Sequence, residues 1–354
     1  MGLEASKQGG SGPSLSSPSP RASSKPASLA IRVLRGVDQQ RIVLAIAVVL
    51  FVLFSVFLDG FADPGNLRTL LQGVAVIGVL GLGMAIVIIG RGIDLSMIAV
   101  LVMPTAWMFV KIGNGMAIWI AAAIALAMAI AGGILNGFLI AYLEVPAIFA
   151  TLASGTIAYG TMQYLAVSND IVPIPAQLSW LIPLLQSSLL GVPAVVVFFG
   201  IVALLTWLFL RFTVYGRFIY AIGDNPIAAR TTGVPVRPIL VLQYVLSAII
   251  AVVTGVVLAV TVNSANTRLF NSTMIYDVIL VVVLGGVGLG GGKGKVSNVL
   301  VGTVLIGILI NGMTIMNLSF VAQNLIKASI LLMAIIADSI VNPRDEQTSQ
   351  QGDI

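Results

Sequence analysis

An all-α, polytopic membrane protein of about ten spanning helices is the fold class this sequence predicts, and three observations carry it. Of the 354 residues, 58% are hydrophobic and only 9% charged. The mean hydropathy is +1.07, and no soluble globule of this length hides so much apolar surface behind a polar exterior. The apolar residues also fall into runs of about 20, the length that crosses the hydrocarbon core at 1.5 Å per residue. Finally, the basic residues between the runs collect on alternate connections, as the positive-inside rule requires.

Residues 1–40 hold Ser, Pro, Gly and basic residues with no apolar face to bury, which predicts a disordered tail. A secretory signal would place its apolar core where this chain reads SGPSLSSPSPRASSKPAS. The expectation is a cytoplasmic tail, held inside by Lys7, Arg21, Lys25, Arg32, Arg35 and Arg41. A transmembrane domain follows over 41–341, with spans expected near 41–58, 70–90, 93–110, 116–143, 146–166, 192–210, 239–262, 274–291, 296–316 and 320–341. The second and third are parted only by Arg91-Gly92 and the eighth is short and glycine-rich, so nine or eleven spans stay open as counts. Trp180 to Leu190 is too short to cross and sits among prolines, which reads as a periplasmic surface or re-entrant helix. Residues 342–354 form a C-terminal cytoplasmic tail. With ten spans, fourteen Lys and Arg lie on one side against Arg68, Lys111 and Arg268 on the other, with Lys327 inside the last span. That split puts both termini in the cytoplasm.

The absence of Cys and His removes disulfides, thiol chemistry and imidazole ligands or bases. No set of acid, base and nucleophile converges, so no catalytic residue, metal site or cofactor is expected. The surplus of +5 charges belongs to the loops, and with no basic stripe interleaved with aromatics it does not point to nucleic acid.

The most informative stretch is Arg211 to Pro238, a basic connection over 211–238 carrying Arg211, Arg217, Arg230 and Arg237 against the single acid Asp224. Gly223-Asp224-Asn225-Pro226 offers a turn and a helix start, Ile227 to Thr232 a short helix, and Gly233 with Pro235 a stop. It is either a solvated topological loop or a docking element for a soluble partner. Gly132-Gly133-Ile134-Leu135-Asn136-Gly137 resembles Gly307-Ile308-Leu309-Ile310-Asn311-Gly312. The two sit five spans apart, as in an inverted repeat, or else share common helix-packing material. Either way, Asn136 and Asn311 are expected to serve mainly in packing. In GRGIDLS, Asp94 is expected to cap a helix beside Arg91 in a structural role. The run from Leu284 to Lys295 lacks the glycine spacing and the Ser or Thr of a phosphate loop. In AIFATLASGTIAYG, Thr151, Ser154, Gly155 and Thr156, with Gln163 beyond, are expected to face a solute path or to pack against another helix.

IDLS at 93–96, FATL at 149–152, GRFIYAIGDN with AAR and Gly233 across 216–233, and VVLGG with GGKGK across 282–295 resemble the permease subunit of ribose-type ABC importers. The resemblance covers roughly residues 42–340 and four motifs in order. It implies a channel-forming subunit of the bacterial inner membrane, similar to the larger importer permeases and carrying a pentose or hexose. It implies as partners cytoplasmic ABC ATPase subunits where ATP is hydrolysed, a periplasmic or lipid-anchored sugar-binding protein, and a second permease copy or paralogue within the lipid. The coupling residues it implies are Gly216, Gly223, Asp224, Asn225, Ala228, Ala229, Arg230 and Gly233. Two departures are Met97-Ile98-Ala99 after IDLS, where the family usually has Val-Gly-Ser, and Pro226-Ile227 where it places Glu. Nucleoside and amino-acid permeases share the wider family. An ion-coupled secondary transporter is the alternative, with Asp277, Lys327 and Asp338 as its candidate ionisable residues.

Overall fold

The structure is a computed structural model that describes Gly2 and residues 39–341 except 168 and 190, with side chains from Gln40 to Ile336. All but the end of the expected N-terminal tail, the whole C-terminal tail and the side chain of Asp338 lie outside the described residues. Each of the ten apolar runs is a helix. In chain order these are α1 (Gln39–Phe57), α2 (Pro64–Ile89), α3 (Met97–Gly113), α4 (Ile118–Ala141) and α5 (Ala147–Leu165). After them come β1 (Ile171–Pro173), α6 (Leu181–Gln186), β2 (Ser188–Leu189), β3 (Val192–Pro193) and α7 (Ala194–Phe212). The remainder is α8 (Val214–Asp224), α9 (Pro226–Thr231), α10 (Val236–Thr261), β4 (Ser264–Asn266), α11 (Met274–Gly285), α12 (Val296–Ile315) and α13 (Phe320–Val341).

Six of these helices, α1, α2, α4, α7, α10 and α12, are long and apolar enough to cross a membrane. Their outer surfaces carry apolar side chains that no water-facing exterior tolerates in such density, with Val56 70%, Phe57 76% and Leu205 58% exposed. The chain is an all-α membrane protein.

The core lies along α2 and α10, each 26 residues long. In α2 every residue from Gly78 to Ile89 is buried. Two sets of four helices, α2–α5 and α10–α13, start about 175 residues apart and exchange their first members. α2 packs against α11 and α12, while α10 packs against α3 and α4. The same close approach recurs in each exchange. A Cβ on Gly133 of α4 would stand 2.7 Å from Val245 Cα of α10, and one on Gly307 of α12 would collide with Val74 of α2. The faint sequence repeat around Asn136 and Asn311 is thus embedded in a repeat of packing.

Three boundaries differ from the sequence reading. The eighth run stops at Gly285, six residues early, because Gly286 turns left-handed at φ +97° and the glycines after it form a loop. The basic connection holds an eleven-residue helix, α8, ahead of the expected short one. Its apolar positions, Ile219 and Ile222, are spaced to reach one face, and both are buried. The Trp180–Leu190 piece shrinks to the six residues of α6, none of them buried, followed by the β2–β3 ribbon.

Candidate functional site

The surface built from α8 and α9 begins with a cap. Thr213 Oγ1 accepts from Gly216 N at 3.0 Å and donates to Phe209 O at 2.7 Å, which joins the end of α7 to the start of α8. A Cβ on Gly216 would lie 2.6 Å from Leu210 Cα, so only glycine passes this corner. α8 ends on Asn225, whose Oδ1 accepts from Ile227 N and Ala228 N at 3.0 Å each and so starts α9, with Pro226 in its first turn. Gly233 at φ +85° ends α9, and Val234 N closes back on Ala229 O.

Beneath this pair lies the glycine-rich loop after α11. Gly292 N donates to Ile89 O at 2.8 Å, Arg91 Nε donates to Gly290 O at 3.0 Å, and Tyr220 Oη of α8 donates to Gly294 O at 2.7 Å. Burial also pushes the Tyr220 phenol above its ordinary range. Gly223 sits where the three segments meet, and a Cβ there would collide with Ile89 O and Gly292 N. The loop that fails as a phosphate cradle works through backbone contact. It fixes the base of α8 onto the end of α2. Sequence reasoning missed this role, although the density of glycine between two spans was its signal.

The expected coupling residues divide by direction. Asp224, Asn225, Ala228, Arg230 and Gly233 are exposed. Gly216 and Gly223 are enclosed by backbone, and Ala229, 4% exposed, packs into the core. The Ala229 side chain is turned inward and anchors α9 from below. Beside α9, Arg230, Pro235, Val236, Arg237 and Pro238 line a cleft of about 380 Å³.

A second polar centre is buried among α3, α4, α5 and α10. Asp94 accepts from Ser96 N and Ser96 Oγ on one oxygen and from Ser247 Oγ at 2.7 Å on the other. Asn136 Nδ2 donates to Ser96 Oγ at 2.8 Å, and Ser154 Oγ donates to Asn136 Oδ1. The expected N-cap is corrected, because Ser96 holds that position and Asp94 stands two residues before it. Arg91 bonds Gly290 O, and Asp94 is satisfied by hydroxyls. Gly90 and Gly92 leave room for Gln243 and Tyr244 of α10, which a Cβ at either would strike.

Of the two readings of the α5 face, the contacts made by Thr151 and Gly155 within the chain are those of helix packing. Thr151 is fully buried, bonding Leu95 N and Ala147 O, and Gly155 lies against Ser96, where a Cβ would be 3.0 Å from its Cα. This face packs on the IDLS turn, as small residues do where helices approach closely. Thr156 is exposed and bonds its own backbone at Leu152 O, and Gln163 Nε2 donates to Asp170 Oδ1 at 3.1 Å. Asn311 differs from Asn136: its amide exchanges two hydrogen bonds of 2.9 Å with Asn66 of α2. Lys327 of α13 pairs with Asp277 of α11 at 2.7 Å.

Residues 66–337 match the family described as "Branched-chain amino acid transport system / permease component". The chain is 32% identical over 295 residues to the ribose import permease protein of Escherichia coli K12, covering 82% of this chain and 91% of that protein. It is 30% identical over 290 residues to the ribose import permease protein of Bacillus subtilis, covering 82% and 89%. It is 31% identical over 297 residues to the L-arabinose transport system permease protein of Escherichia coli K12, covering 83% and 89%. No solved structure matches the chain.

Proposed function

Because the chain belongs to the permease-component family of the branched-chain amino acid transport system, we propose that it is the membrane-spanning subunit of an ATP-driven importer for a monosaccharide, a pentose or hexose. The full-length similarity to ribose and arabinose permeases carries this reading. In it the ten helices α1–α5, α7 and α10–α13 make up the membrane domain, the twelve-residue α11 being completed by the loop after it, with the termini, α8–α9 and the glycine-rich loop on the cytoplasmic side. The charge asymmetry of the connections supports that orientation.

ATP is hydrolysed in separate cytoplasmic subunits that dock on the outward residues of α8–α9, Asp224, Asn225, Ala228 and Arg230. The rigid seating of α8 on α2 and on the glycine-rich loop gives such a partner a lever into the core. A sugar-binding protein delivers the solute from outside, and a second permease copy or paralogue completes the pathway. The ion-coupled alternative loses ground because Asp277 and Lys327 neutralise each other.

The test is uptake of labelled D-ribose, L-arabinose, D-glucose and L-leucine into cells with and without this chain. Chain-dependent uptake of one sugar, abolished when ATP is depleted, is expected. Uptake of leucine alone, or uptake that collapses with the ion gradient and ignores ATP, overturns the reading.

A further inference from the structure

The cleft beside α9, at the start of α10, is lined by two arginines, Arg230 and Arg237, with Pro235, Val236 and Pro238 between and beside them. Arg230 is exposed and belongs to none of the ion pairs among the described residues. Arg237 is held from one side. Its guanidinium carbon stands 5.5 Å from the ring centroid of Tyr142, just past the end of α4, and one of its nitrogens lies 3.5 Å from Glu144 Oε1. That pair is loose and open to water, the two side chains being 45% and 50% exposed. It uses few of the guanidinium's donors and leaves the rest for the cleft. Two arginines against one acid give the cleft a net positive charge.

Below the arginines the surface turns apolar. Tyr142 stacks on Phe138, one turn earlier, with ring centroids 5.4 Å apart. Ile134, Phe138 and Tyr142 follow one another at i, i+4 spacing on a face of α4 that its neighbours leave half-open, 48%, 45% and 43% exposed. The face runs about 12 Å along the helix. Aromatic rings between an apolar face and arginines stand where hydrocarbon gives way to headgroups. An apolar face alone fits several occupants, and the arginines select among them. A second copy docking isologously would set arginine against arginine. A soluble partner would meet the arginines and leave the apolar face below them uncovered. A phospholipid joins acyl chains to a phosphate in the order the surface requires, and an anionic headgroup balances the charge of the cleft.

We propose that the cleft of Arg230 and Arg237, together with the α4 face of Ile134, Phe138 and Tyr142, binds one anionic phospholipid of the cytoplasmic leaflet. The two arginines hold its phosphate, and an acyl chain lies along α4. Arg230 also belongs to the surface assigned to the ATPase, so the headgroup sits at the edge of that surface. The leaflet follows from the orientation given above, whereas the site does not depend on which solute the chain carries.

The test titrates the purified full-length chain in detergent with dioleoyl phosphatidylglycerol and counts bound lipid by native mass spectrometry. Dioleoyl phosphatidylcholine and inorganic phosphate serve as comparison probes. Phosphatidylglycerol should bind more tightly than phosphatidylcholine. An arginine at a membrane surface changes affinity for an anionic lipid about fivefold. Arg237→Ala should therefore weaken phosphatidylglycerol binding about fivefold, and Arg230→Ala with Arg237→Ala about 25-fold. Arg211→Ala removes an arginine that rests on Trp207 and Phe212 instead, and should change nothing. Glu144→Gln removes the competing acid and should tighten binding by a similar factor, a gain that damage to the fold does not produce. Unchanged affinity in Arg237→Ala overturns the proposal, as does an equal loss in Arg211→Ala, which would make the attraction a property of the whole basic surface. Displacement of the lipid by an equal concentration of inorganic phosphate would make the cleft a site for free anions. Lost ATPase co-purification with unchanged lipid binding in the double variant would give the cleft to the ATPase. Failure of the sugar reading leaves each of these measurements as it stands.

Discussion

α5 and α13 hold the same place in their helix sets, yet they are fastened differently. α5 is locked onto the IDLS turn by Thr151, Ser154 and the bare backbone of Gly155, all around buried Asp94 and Asn136. α13 meets α11 through the Asp277–Lys327 pair and a cleft. Small residues let α5 close completely, whereas the longer side chains of α13 hold a gap open. One sequence position can thus be a seam in one set and a cavity wall in the other, and the residue types at the contact decide which.

The sharpest way to break this contrast is at the α5 seam. Asp94→Ala strands the Ser96 and Ser247 hydroxyls in the core, and about 3 kcal/mol of stability should go with it. Thermal unfolding in detergent, followed by tryptophan fluorescence or loss of monodispersity, should show a clear fall. If Asp94→Ala melts like the unaltered chain, the locked half is no more tightly held than the open one.

Next comes the joint that ties both sets to the α8–α9 surface. Gly223→Ala forces a methyl group onto Ile89 O and Gly292 N, an overpacking that costs roughly 1–3 kcal/mol. The chain should still insert, but co-purification of the ATPase and sugar uptake should both drop. Unchanged values for both would mean that α8 can rise off its seat freely.

The two asparagines give a smaller difference. Asn136→Leu breaks a chain of three groups, while Asn311→Leu breaks a two-membered exchange with Asn66. Interhelical bonds of this kind contribute roughly 0.6 to 2 kcal/mol in a membrane, so Asn136→Leu should be the more damaging. The double variant Asn66→Leu with Asn311→Leu should cost less than the sum of its singles, since each single leaves an orphaned amide. Equal losses at 136 and 311 would dissolve the contrast.

The smallest effects are expected at the ends of α9. Asn225→Ala removes an N-cap worth about 1 kcal/mol, and Gly233→Ala places a Cβ at positive φ for about 1–2 kcal/mol. Both should leave global melting nearly unchanged. Hydrogen exchange of α9 amides should rise, and a rise that spreads into α10 would show the short helix to be part of the core.

Much of this molecule can be read without coordinates. Apolar runs of spanning length can only become helices, because a backbone in hydrocarbon must satisfy its own hydrogen bonds. That requirement located ten helices, six of them long and apolar enough to cross. The local chemistry of Asn225, Pro226 and Gly233 likewise places α9, since caps and left-handed stops act within a few residues. The helix α8 is marked in the sequence as well, by the helical spacing of Ile219 and Ile222.

What only the tertiary structure decides is which face of each helix meets which neighbour. In a chain that is apolar nearly all round, as α2 and α12 are, hydrophobicity does not mark the buried side. The roles of Thr151 and Gly155, the inward turn of Ala229 and the seat that Gly292 offers Gly223 follow from contacts between segments far apart in sequence. So does the meeting of Asp277 with Lys327, fifty residues apart. The sequence determines that this chain is a bundle of membrane helices with a capped helix on a basic connection. Close packing, which is specific to each pair of surfaces, decides where that bundle is sealed and where it stays open.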